Sequence, residues 1–99
     1  MRSFEVSGMS RSEFVSRIVS EINAREFDRY LSVSLRGEDL VVVLSYMGTT
    51  KFDYRIHPVG DGFRAELTGQ SVAPLHAVFS DRFEDYFEKA LAKAGATSV

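Results

Sequence analysis

The sequence predicts an α+β domain of two layers in the order β-α-β-β-β-β-α, with both helices on one face of an antiparallel sheet. Three observations carry this. A capping box opens an amphipathic helix near the N-terminus. Four stretches of alternating apolar and polar residues follow, joined by breaks too short for the crossovers that parallel strands need. A second helical phase then runs almost to the C-terminus. Each helix has a single apolar face, and so do three of the four consecutive strands, so two layers are the economical way to bury them. Ninety-nine residues make a single domain spanning 1–99.

Arg2 to Ser7 alternates, with Phe4 and Val6 on one face, and reads as a short strand that Gly8 ends. Ser10-Arg11-Ser12-Glu13 is the capping box: the Ser10 hydroxyl accepts the Glu13 amide, and Met9 and Phe14 flank it as a hydrophobic staple. Phe14, Val15, Ile18, Val19 and Ile22 share one arc of a 3.6-residue period, so a helix runs from Arg11 to about Arg25. Leu31, Val33 and Leu35 alternate with Ser32, Ser34 and Arg36, and Gly37-Glu38-Asp39 turns the chain. Leu40 to Tyr46 is the next strand, and Met47-Gly48 a tight turn in which Gly48 supplies positive φ. Phe52, Tyr54 and Ile56, then Phe63, Ala65 and Leu67, alternate with polar neighbours on either side of a loop at 58–62. Pro74 suits a first helical turn. Leu75, Phe79, Phe83, Tyr86, Phe87, Ala90, Leu91 and Ala94 keep one helical phase, which predicts one long helix ended by Gly95, with 96–99 a frayed tail.

This order of elements resembles the helix-grip or TATA-binding-protein-like architecture over nearly the whole chain. The likeness lies in element order alone and carries no functional residue across. That architecture hosts nucleic-acid binders, binders of apolar ligands and protein-interaction modules.

Composition removes several classes. The chain has no cysteine, which excludes a disulfide framework, a cysteine-based zinc site, an iron–sulfur cluster and a cysteine nucleophile. A net charge of −2 argues against electrostatic nucleic-acid binding. The outer face of the third and fourth of these consecutive strands mixes Lys51, Arg55 and Arg64 with Asp53 and Glu66, a salt-bridged face rather than a basic groove. The N-terminus lacks the pattern of a signal peptide. The longest apolar run, Leu40 to Leu44, is far shorter than the roughly 20 residues of a membrane helix. A soluble cytoplasmic protein is expected.

Catalytic and metal motifs are weak. Ser10 sits between a strand and a helix, as a nucleophile elbow does, but serine at position 12 breaks the G-x-S-x-G pattern, and the cap already accounts for it. His57 falls on the outer face and His76 on the inner, so they share no metal, and no ligand spacing surrounds either. Gly60-Asp61-Gly62 lacks the lysine and following helix of a phosphate loop. No cofactor is implied. An enzyme would need groups converging from distant positions.

Two features point to binding. The strand from Leu40 is apolar on both faces: Leu40, Val42 and Leu44 on one, Val41 and Val43 on the other. Either the stems of Arg36, Lys51 and Arg55 shield the two valines, or a partner covers Val41, Val43 and Arg55. The second feature is the stripe of His76, Phe79, Phe83 and Tyr86, which is either core or the wall of a pocket for a small apolar ligand between the last helix and the sheet. The expectation is a small non-enzymatic cytoplasmic protein-interaction module that self-associates as a homodimer. The alternatives are the apolar-ligand binder and a secretion-chaperone-like protein.

Overall fold

A computed structural model of the chain describes residues 2–23 and 30–98, without the side chains of Asn23, Phe79 and Ser80. The elements are β1 (Ser3–Val6), α1 (Arg11–Asn23), β2 (Leu31–Arg36), β3 (Asp39–Ser45), β4 (Thr49–Val59), β5 (Gly62–Ser71), a 3₁₀ turn (His76–Phe79), α2 (Ser80–Ala94) and β6 (Ala96–Ser98). The six strands form one sheet in the order β2-β3-β4-β5-β1-β6, and every neighbouring pair is antiparallel. The α+β class, the antiparallel sheet and the two helices are as the sequence predicts.

The register explains where the core lies. Phe4 pairs with Ala65, Val6 with Phe63, Ile56 with Ala65, Leu40 with Tyr54 and Val33 with Val42. Period-two alternation puts all of these on one face. Phe14, Ile18 and Ile22 of α1 and Phe83, Phe87 and Leu91 of α2 join the same buried cluster. Edge contacts between rings tighten the core: Phe14 of α1 meets Phe63 of β5 across the layers with centroids 5.5 Å apart, and within the sheet Phe4 meets Tyr54 at the same distance. At the start of α1 the Glu13 amide donates to Ser10 Oγ at 3.2 Å, so the capping hydroxyl is in place. The expected end of this helix, at 24–25, lies outside the described residues.

Three features differ from the expectation. The supposed frayed tail at 96–99 contains β6, in which Ala96, Thr97 and Ser98 pair with Val6, Glu5 and Phe4. Gly95, at φ 115°, reverses the chain, and the return covers the main-chain edge of β1. Val99 lies outside the described residues. The single long helix from Pro74 is instead a 3₁₀ turn followed by α2. Here His76 and Ala77 both donate their amides to the Ala73 carbonyl, at 2.9 and 3.2 Å. Side-chain bonds of His76, described below, then hold that turn in place. Finally, β4 and β5 run further than the alternation suggests and close through Gly60-Asp61. Pro58 is tolerated in β4 because it sits beyond the end of the β3 pairing, which stops where Asp39, the first residue of β3, meets Arg55. A bulge at Asp53/Tyr54 shifts the β4–β5 register and sets Gln70 opposite Phe52.

Candidate functional site

The outer face of the sheet is a lattice of charges. Arg55 Nε donates to Asp39 Oδ1 at 2.6 Å, Arg64 reaches Glu66 at 3.1 Å, and Lys51 reaches Asp53 at 3.8 Å. Within it the two valines of β3 face outward, as alternation requires, opposite Ser34 and Ser32. Val41 is nevertheless only 4% exposed and Val43 half-buried. The neighbours of Val41 across the adjacent strands are Ser34 and Asp53. Arg55 is exposed but already paired. Val41, Val43 and Arg55 are therefore adjacent, and they offer a partner little open apolar surface.

On the inner face, two of the four residues expected to line a ligand pocket come together. His76 and Phe83 share a space of about 20 Å³ with Leu44, Thr50 and Val72, about the volume needed to admit a single water. Tyr86 is partly buried against the core, and the Phe79 side chain lies outside the described residues. A larger cleft of about 290 Å³ opens beside Phe83, between α2 and the strands β4 and β5. Phe52, Tyr54 and Phe87 wall it, and Arg2, Gln70 and Glu84 stand at its polar side. Phe83 stacks between Phe52 and Phe87, with centroid distances of 6.0 Å to each. Burial raises the Tyr54 phenol well above its ordinary pKa, and the charges of Glu84 and Glu88 add to the shift. The sign follows. Above about pH 10 the unfolded chain ionises this phenol while the folded chain keeps it protonated, so stability falls as pH rises. Urea midpoints measured from pH 8 to 11 should drop above pH 10, and Tyr54→Phe should flatten that drop. An unchanged slope would mean that other groups govern alkaline unfolding.

His76 is 2% exposed, and its hydrogen bonds define the third feature. Its Nε2–H donates to the Tyr46 carbonyl at 2.6 Å, because a carbonyl can only accept. Nδ1 shares a 2.6 Å hydrogen bond with the Thr50 hydroxyl, and Thr50 Oγ1 accepts the Ala73 amide at 3.0 Å. This chain of bonds ties the segment after β5 to the β3–β4 turn. His57 stands on the opposite face, exposed, and among the described residues no cluster of metal-ligating side chains forms.

The tie gathers apolar residues that the sequence scatters. Tyr46 and Met47 lie in the turn, Val72 follows β5, and Leu75 and Val78 flank His76. Tyr30 packs against Tyr46 with the rings tilted at 59° and their centroids 4.8 Å apart. All six are exposed, Met47 at 75% and Val78 at 86%. Met47 also has φ 52°, a left-handed conformation that costs a non-glycine residue about 1 kcal/mol. Only two other large apolar side chains among the described residues, Val19 and Val59, are comparably open. These six exposed apolar residues thus belong to segments that the His76 bonds bring to one end of the sheet, a grouping that sequence reasoning did not locate. The available signal was the Tyr46-Met47 pair, which occupies a hairpin tip where polar turn residues are usual.

No family model, curated protein or solved structure matches this chain. Among the described residues, no helix is long and apolar enough to cross a membrane.

Proposed function

We propose that the chain is a small non-enzymatic cytoplasmic module that docks another protein through its apolar end and also self-associates as a homodimer. The observation that carries the docking surface is the convergence of Tyr30, Tyr46, Met47, Val72, Leu75 and Val78 around the β3–β4 turn. Exposed apolar patches of this kind mark interaction sites, and aromatic residues and methionine are the types enriched there. The surface moves from the outer valines of β3 to this end because Val41 is already covered within one chain. The element order as far as α2 is taken as helix-grip or TATA-binding-protein-like, with β6 added to it. That likeness supports no function by itself.

Site-specific photo-crosslinking tests the docking surface. A photoreactive residue replacing Met47 or Val78, in the cells that make the protein, should yield an adduct with another protein. The same residue at position 43 should yield far less. If neither position 47 nor position 78 gives an adduct above the single-chain mass, the reading fails.

A second reading has one specific observation behind it, the cleft of about 290 Å³ beneath α2. Its volume sits at the lower edge of the range for small-molecule sites. Arg2, Gln70 and Glu84 on its polar side suit a ring bearing polar groups better than a wholly apolar ligand, with Arg2 available to an acidic substituent.

A further inference from the structure

We propose that two copies of the chain pair along β2, antiparallel and edge to edge about a two-fold axis at Val33, which joins two six-stranded sheets into one. The proposal deepens the self-association part of the reading above and rests on it.

β2 is an edge strand of the sheet, and among the described residues its only strand partner is β3. The Tyr30 carbonyl accepts the Ser45 amide at 2.8 Å. In an antiparallel ladder the main-chain groups of Ser32, Ser34 and Arg36 therefore also turn toward β3. Those of Leu31, Val33 and Leu35 turn outward, as donors and acceptors at the free edge. Proteins defend such edges with lysine, proline, bulges or brevity. The opposite edge, β6, is three residues long. β2 runs for six residues without proline, lysine or a register shift.

The occupant follows from self-complementarity. With the axis at Val33, Leu31 meets Leu35 of the second copy, Ser32 meets its Ser34, and Tyr30 meets its Arg36. The apolar rows continue across the join on the inner face, and serine continues serine on the outer. Arg36, the only charged residue of the strand, faces an aromatic ring rather than another cation. Each contact occurs twice, as an isologous interface demands. The apolar ends then sit at opposite corners of the joined sheet, so the pair presents two docking surfaces.

Size exclusion coupled to light scattering should give the wild type twice the 11.1 kDa of one chain. Ser32 and Ser34 are exposed, so they can be changed without disturbing the core. Ser32→Lys with Ser34→Lys sets lysine against lysine at the join and should weaken the dimer roughly tenfold or more. Ser32→Glu with Ser34→Lys sets opposite charges there and should keep the double mass. Ser32→Cys with Ser34→Cys, in a chain with no cysteine of its own, should form a disulfide-linked dimer on oxidation. Circular dichroism identifies any variant that fails to fold, and the cysteine pair then serves as the independent readout. A wild type that stays at single-chain mass at high concentration overturns the edge proposal together with self-association. A dimer that ignores the lysine pair and does not crosslink through the cysteines overturns the edge alone and leaves self-association on another surface.

Discussion

Gly62→Ala should destabilise the domain by about 3 kcal/mol or more, at or beyond the upper end of what overpacking costs. A Cβ at this position would lie 1.7 Å from the Val6 carbonyl oxygen and 2.9 Å from the Ser7 Cα. Both are main-chain atoms, so no side chain can swing aside to make room. To admit a single methyl group, β1 would have to peel away from β5, taking Phe4 and Val6 out of register with Ala65 and Phe63. Contrast Gly37 and Gly60, where a Cβ would meet nothing within 4 Å and the constraint is positive φ alone, at 61° and 57°. Urea titration of Gly62→Ala is the measurement. A loss below 1 kcal/mol would mean that β1 does not lie against the start of β5 as described.

Phe83→Ala should cost about 3–5 kcal/mol, the range for deleting a buried aromatic side chain. Phe83 is 3% exposed and holds the layers together through two stacked rings, Phe52 on the sheet and Phe87 one turn along its own helix. It also separates the small space beside His76 from the larger cleft, so its loss would merge them. The sheet cannot collapse into that gap, because β4 is held on both sides by β3 and β5. A denaturant midpoint shift worth less than 1 kcal/mol would show that α2 is not docked through this residue. The wild-type titration repeated with indole-3-acetate tests the ligand reading. A ligand seated in the cleft must raise the midpoint with its concentration, and no rise removes that reading.

Periodicity made much of this fold legible. The alternation of Leu31-Val33-Leu35 and of Phe52-Tyr54-Ile56 is a local signal, and the register places those residues on the core face. The capping serine and the apolar stripe of α2 are local in the same way. What escaped the sequence depends on partners far along the chain. Ala96-Thr97-Ser98 has little strand character of its own and becomes a strand because β1 waits beside it. The helical phase from Leu75 to Phe83 is continuous, so nothing local announces the break before Ser80. That break depends on His76 bonding to Thr50 and to the Tyr46 carbonyl, 26 and 30 residues away in sequence. The same dependence hid the apolar end, whose members come from four separate stretches. The burial of Val41 escaped for a related reason: alternation assigns a residue to a face without saying how far its neighbours cover it.

The place of β1 in the sheet sets a timetable for folding. It is the first strand to be synthesised, yet its neighbours are β5 and β6, the last two strands. A ribosome must deliver residues 62–71 before β1 gains any strand partner, and residues 96–98 before its second side is closed. Throughout that interval Phe4 and Val6 belong to a segment with nothing to pair with. The Phe4–Ser98 pairing spans nearly the whole chain, so it carries the highest loop-closure entropy in the sheet. Among the strands, β6 should therefore be the last to acquire protection from hydrogen exchange during refolding, and the first to lose it in the native state.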